Sequence, residues 1–487
     1  MLTRTVFRRV VAQLMIALLM AQTTLAQPMA NSLPDLGDPA QDALSPAQEK
    51  RIAEEVMRTL HFREPSYLDD PEVEEYLNAL GRTLTSTLPA TANGFQFFVL
   101  KDPTINAFAM PGGVIGVHTG LIVTTEAESE LASVLGHEIG HIEQHHMARM
   151  LSRQGNTTAM VLASLLLAVV AGINSPTAAG AVLMSGQAAA IQSQLSYSRD
   201  YEREADRVGL QILNSAGFDV RGMPAFFERL YQRTHSMENN APAYLRTHPL
   251  TQDRIADIGA RVHQMRAMPH PSSIDYTLVR AKLEVMQLGV RTAIPRFLER
   301  EAKTRQEQSA RWYGLARAYL SDNQLDAADK AYAELRKLNP DTAMLAVLGS
   351  DIERGHARFD SAAKLCADAR TRYPARRSLI YCETESWLAG GKANDALKVL
   401  DPLLRIPNGD YRLYVLQAKA ETALGRTALA HRAQAEVYQL QGDLSAAVDQ
   451  LQLAQRDGGG SFMEQAAIDA RLREFKQLMQ ENKDKDS

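Results

Sequence analysis

The 487-residue sequence is poor in cysteine, with 2, and poor in aromatic residues, at 6%. Two Cys cannot build a disulfide-dense scaffold or a Cys-rich zinc module. Few aromatics, with Ala and Leu recurring throughout, argue against a sandwich or barrel and for helices. Neither charge sign is in large excess: 53 Lys and Arg stand against 57 Asp and Glu, a net charge of -4. With no strongly basic stripe, nucleic acid is excluded as a main partner. What the chain does have is length, and at roughly 100–200 residues per domain there is material for two to four domains.

The first 26 residues read as a cleaved signal peptide. Arg4, Arg8 and Arg9 are basic, Val10 to Met20 is apolar but for Gln13, and Thr24-Leu25-Ala26 offers small residues to a signal peptidase. The apolar run is shorter than the roughly 20 residues of a membrane span, so an uncleaved anchor is disfavoured. No Cys near the cut is available for lipid attachment. Removing three Arg and no acid takes the net charge from -4 to -7. The expectation is an exported, acidic protein with no integral membrane span in its mature chain. Residues 27–45, rich in Pro, Asp and Ala, read as a flexible start.

Residues 46–266 read as one domain of helices with a few strands. Helical periodicity runs from Pro46 to Thr87, with Ile52, Val56, Met57 and Leu60 on one face and Val73, Leu77 and Leu80 on another. Strands are expected at Phe95 to Lys101 and at Val114 to Val117, the second after the turn Pro111-Gly112-Gly113. Glu126 to Met150 reads as one long helix, and Ser196 to Ala216 as another, capped by Gly217. Between them lie two apolar, small-residue stretches, Ala159 to Ile173 and Ala178 to Ile191. These are compatible with a core hairpin or a mobile cover over a cleft; membrane spans are disfavoured by length.

Residues 267–274 read as a linker, and 275–487 as a repeat array. Ala328, Ala362 and Ala396 recur at the same spacing as Pro340 and Pro374, and Trp312, Leu315, Tyr319, Ala328, Tyr332 and Pro340 fall in the tetratricopeptide order. Residues 275–308 form a degenerate entry repeat, and such arrays present grooves to peptides or partner proteins. Cys366 and Cys382 fall on neighbouring repeat helices, where a disulfide and two separate buried thiols are both open readings.

The sharpest motif is His137-Glu138-Ile139-Gly140-His141. Two His four apart share one helix face and reach one cation, while Glu138 stands free to act as general base. Zn2+, one per chain, suits two nitrogens and a carboxylate with an open position for water. His141 and His145 form a rival pair, but no Glu follows His141, and His145 is about 12 Å along the axis from His137. Surface or supporting roles fit His145 and His146 better. Glu202 is the third ligand candidate, with Asp206 four residues on to hold a histidine's other nitrogen and Glu204 turned away.

HExxH followed by Glu202-Arg203-Glu204-Ala205-Asp206 resembles the zinc peptidases that include the CAAX prenyl proteases and the HtpX-type membrane proteases. Asn106-Ala107-Phe108, Pro111-Gly112-Gly113, Gly120-Leu121-Ile122 and the downstream Thr247-His248-Pro249 with Arg254 and Ile255 extend the likeness. It implies a mainly α, zincin-type α+β protease domain with a small sheet, followed here by an α-solenoid of tetratricopeptide repeats. With the signal peptide, the combination is similar to the periplasmic branch of that family, which implies outer-membrane protein clients and association with the barrel assembly machinery. Localisation is then the periplasm, with peripheral attachment to the outer membrane open. His248 reads as a fourth metal ligand that keeps the enzyme latent, or as a donor to the tetrahedral oxyanion; Arg254 is a second candidate for the oxyanion role. The strand at Gly113 to Val117 is expected to pair with extended substrate. The activity expected is zinc-dependent endoproteolysis of misassembled outer-membrane proteins; a chaperone-like assembly factor with a latent zinc site is the alternative.

Overall fold

The structure is a computed structural model that describes residues 44–88, 94–154, 198–235, 242–338, 340–406 and 409–486. The segment expected to be a signal peptide, nearly all of the Pro-rich segment and the apolar stretches within 159–191 lie outside the described residues.

Helix α1 (Pro46–Arg63) opens with a capping box: Gln48 N–H bonds the Ser45 hydroxyl, and the Gln48 side chain accepts from Ser45 N–H at 2.9 Å. It buries Ile52, Val56, Met57 and Leu60, the face expected from the sequence. Helix α2 (Pro71–Thr85) starts at Asp70, whose carboxylate accepts from the N–H groups of Glu72 and Val73. Three strands follow: β1 (Gln96–Leu100), β2 (Ala107–Met110) and β3 (Val114–His118), in the order β1-β3-β2. β3 runs parallel to β1 and antiparallel to β2. Gly112 and Gly113, at φ 79° and 85°, make the β2–β3 turn that side chains with a Cβ rarely allow.

After the short α3 (Thr119–Thr124) comes the motif helix α4 (Glu128–Glu143). The single helix expected over Glu126 to Met150 is broken: His145 adopts φ 50°, and α5 (His146–Gln154) starts in a new direction. Helix α6 (Arg199–Ser215) carries the second motif and ends as expected at Gly217, φ 81°. There Phe218 N–H bonds Leu213 C=O and Gly217 N–H bonds Asn214 C=O. α4 and α6 cross backbone to backbone. A Cβ on Gly140 would lie 2.9 Å from Ala205 O, and one on Gly209 would lie 2.9 Å from His137 N. α7 (Gly222–His235), α8 (Ala243–Thr247) and α9 (Gln252–Gln264) close the far side.

Among the described residues, twelve further helices form the second half. α10 (Ile274–Leu288) and α11 (Val290–Glu299) fall in the segment expected to be an entry repeat. They lead into helical hairpins whose first two pairs are Arg305–Ser321 with Leu325–Leu338, and Ala343–Gly355 with Phe359–Arg372. Ala328, Ala362 and Ala396 are all fully buried at helix crossings, as close helix pairing requires. Cys366 and Cys382 are joined in a disulfide between neighbouring hairpins.

The two halves share one apolar core that runs from Leu68 and Val73 through Leu135 and Leu213 to Tyr313 and Ile352. Charge reinforces the contact. Glu72 on α2 meets both Lys282 and Arg317, with Arg317 Nη2 at 2.8 Å, and Arg317 goes on to Asp351 at 2.6 Å. Glu75 accepts from Ser378 N–H and hydroxyl at 2.8 Å each, and Asp69 pairs with Arg412.

Candidate metal centre

Helix periodicity puts His137 and His141 one turn apart on the face of α4 that meets α6, and their Nε2 atoms lie 3.0 Å apart. Glu202, in the first turn of α6, brings Oε1 to 3.4 Å from His141 Nε2 and Oε2 to 3.6 Å from His137 Nε2. His248, just past α8, points Nδ1 into the same space, 3.4 Å from His137 Nε2 and 3.0 Å from Glu202 Oε1. All four residues are buried. Bonds of about 2 Å in a tetrahedron separate ligand atoms by roughly 3.3 Å, so these donors are spaced to hold one zinc ion. The donor set fits the metal the motif implies.

The surrounding groups fix the tautomers. His137 Nδ1 is 2.9 Å from Asp206 Oδ1, which leaves Nε2 free to ligate. His141 Nδ1 lies 2.9 Å from His146 Nδ1, and His146 Nε2 is 3.1 Å from Glu204 Oε2. With His141 as donor to His146 and His146 as donor to Glu204, each nitrogen has one role. The break at His145 is what permits this: in a continuous helix His146 would sit about 140° around from His141. Burial pushes His146 down to about 4, against the pull of Glu204, so it is neutral at ordinary pH. His145 itself is exposed and joins no ligand group, which removes the rival pair.

Glu138 stands beside the cluster, its Oε1 3.6 Å from His248 Nε2. Burial raises its pKa, against the opposing pull of His248, His137 and a backbone hydrogen bond from Ala109. Asp206 is held by Arg254, whose Nε and Nη2 each donate at 2.8 Å. Burial works against the Asp206 charge, but His137 and Arg254 outweigh it and keep its pKa low.

Two expectations are corrected by position. Arg254, expected to face an oxyanion, has its guanidinium committed to Asp206, to Pro249 C=O at 2.8 Å and to Glu202 Oε2 at 2.7 Å. It holds the ligand side of the site. The strand expected to receive substrate, β3, is internal and paired on both sides; β2 is an edge strand. The sequence signal for β2 was only Asn106-Ala107-Phe108, too short for an alternating pattern to show. Asn106 C=O accepts from His118 N–H, so in this register Phe108 and Met110 also face β3, and Ala107 and Ala109 turn their backbone groups outward. A shallow cleft lies at this edge, where Ala109, Met110 and Pro111 meet His141, Ile142 and Met147.

Sequence reasoning missed Tyr244. It is 2% exposed and stacks on the His248 ring, with centroids 4.7 Å apart and planes at 25°. Its position four residues before His248 was the available clue.

Comparison with known proteins agrees with this geometry. Residues 70–262 match Peptidase family M48. The chain is 32% identical to the beta-barrel assembly-enhancing protease of Escherichia coli (strain K12), covering 96% of this chain and 97% of that protein. It is 30% identical to the beta-barrel assembly-enhancing protease of Yersinia pestis over 94% of each chain. The mitochondrial metalloendopeptidase OMA1 of Arabidopsis thaliana is 30% identical over 39% of this chain and 36% of its own.

Proposed function

The chain belongs to peptidase family M48, and from that premise we propose that it works in the periplasm as a quality-control endopeptidase of outer-membrane proteins. It is a zinc metalloprotease, with His137, His141 and Glu202 grouped to hold the metal. The observation that carries the finer reading is extent. The likeness to the Escherichia coli protein covers 96% of the chain, the helical array included, and not the peptidase segment alone. The signal peptide over residues 1–26 and the acidic mature chain support export, and degradation of misassembled or stalled clients fits a protease joined to a partner-binding array.

Zinc, when bound, polarises the scissile carbonyl and makes water a better nucleophile at neutral pH. Glu138 takes the proton that water loses and returns it to the leaving amine. Asp206 and the Glu204–His146 pair hold His137 and His141 in their ligating tautomers. The outer edge of β2 offers backbone groups to an extended chain, which asks little of its sequence.

His248 favours a second feature, latency. Its Nδ1 completes the donor group, so substrate gains a position only when the His248 loop yields. The chaperone-like alternative draws on the same observation. The test compares wild type, Glu138→Gln and His248→Ala for zinc content, cleavage of an unfolded outer-membrane protein and support of its assembly in cells. Retained zinc with no cleavage in Glu138→Gln, and faster cleavage in His248→Ala, are the expected results. If Glu138→Gln supports assembly as fully as wild type, the chaperone-like reading replaces this one.

A further inference from the structure

Besides the ligands and Glu138, the buried Tyr244 hydroxyl oxygen at the metal centre lacks a hydrogen-bond partner among the described residues. Buried polar groups are seldom left so unless something absent completes them. Nothing so far accounts for the tyrosine hydroxyl, yet the ring that carries it is stacked on His248 and lies 6.4 Å from the His137 ring, centroid to centroid.

Tyr244 is also fixed to the substrate side. Its N–H bonds Ile105 C=O at 3.2 Å, immediately before the edge strand, and its C=O accepts from His248 N–H at 2.8 Å. Peptide hydrolysis at this centre must place negative charge on the former carbonyl oxygen, and that charge needs a donor. Arg254 is committed to Asp206, Pro249 and Glu202, and His248 Nδ1 faces the other ligands. A phenol hydroxyl offers one strong donor and is not consumed by the ligand network.

We propose that Tyr244 is a catalytic residue whose hydroxyl donates a hydrogen bond to the tetrahedral oxyanion of the substrate. The proposal rests on the peptidase reading above. It assigns no proton transfer to Tyr244: the hydroxyl keeps its proton, and Glu138 carries the proton from water to the leaving amine.

Tyr244→Phe removes the oxygen and keeps the ring stacked on His248. Full-length wild type and variant are compared for zinc content, melting temperature, peptide hydrolysis and affinity for a phosphinic peptide, whose tetrahedral oxygens mimic the oxyanion. Zinc and melting temperature are expected to stay as in wild type. kcat falls about 10²-fold with little change in KM, and the phosphinic peptide binds more weakly by a comparable factor, the scale of losing one oxyanion donor. Wild-type kcat and phosphinic affinity in the variant would overturn the proposal. So would a loss confined to zinc content or melting temperature, which would make Tyr244 a positioning residue for His248. If wild type itself neither cleaves peptide nor binds the phosphinic peptide, the peptidase reading falls and this proposal falls with it.

Discussion

His137 and Asp206 face each other across the α4–α6 crossing, Nδ1 to Oδ1 at 2.9 Å, with Arg254 gripping the far side of the carboxylate. Asp206→Asn keeps the shape but removes the charge that selects the ligating tautomer. Zinc affinity is expected to fall by about 10–100-fold, read by competition with a chromogenic chelator. An unchanged affinity would mean that packing alone orients His137.

The metal spacing is set by backbone contact. Gly209 lies where any Cβ would come within 2.9 Å of His137 N. Gly209→Ala therefore spreads α4 from α6, moving His137 away from Glu202. The variant is expected to hold zinc less tightly than wild type and to melt several degrees lower, since a misfit in a packed core costs about 1–3 kcal/mol. Full zinc occupancy in the presence of a competing chelator would count against this account.

Glu72 is 5% exposed and serves two cations, Lys282 and Arg317, from the opposite half of the chain. Glu72→Gln leaves those cations short of counter-charge in a buried setting. A loss of about 3–5 kcal/mol is the usual result of breaking such a pair from one side. Urea unfolding at constant zinc gives the number. A change below about 0.5 kcal/mol, the range of ordinary surface substitutions, would show that Asp70 and Asp351 already suffice.

Asp102 reports on the floor of the same domain. Burial alone would raise its carboxyl, but hydrogen bonds from His118 and Thr104 outweigh burial and set its pKa at about 2. A folded-state value below the unfolded one means stability that is complete above the ordinary carboxylate range and lost as pH falls from about 4 towards 2. Asp102→Asn is expected to cost about 1–2 kcal/mol at pH 7, with the gap from wild type closing below pH 3. Unfolding curves at pH 7, 4 and 3 check the sign; a gap that widens in acid refutes it.

Much of the centre was legible because its spacing is helical. His137 with His141, and Glu202 with Asp206, are each four apart on helices whose periodicity is long and regular. Gly217 as a cap and the alanines of the repeats were legible for the same reason. The failures involve short or non-helical pieces. The four-residue β2 is below the length at which alternation shows. The turn at His145 depends on one left-handed residue that no motif marks, and without it His146 does not reach His141. Arg254 was recognised but misdirected, because spacing says which residues gather and not whether a guanidinium will bind the carboxylates of Asp206 and Glu202 or face the substrate.

The apolar core that continues from Leu68 to Ile352 alters what the linker expected at 267–274 divides. It separates two patterns of sequence but not two bodies of cohesion. Tyr276 and Tyr313 are fully interior neighbours of the peptidase core, so the early repeats act as a wall of the enzyme as well as the beginning of its binding surface. A cut after residue 266 would open that wall to water and leave Glu72 facing no cation. The array thus shares its packing with the peptidase half, and Ser273 at the start of α10 bonds Glu128 at the start of the motif helix α4.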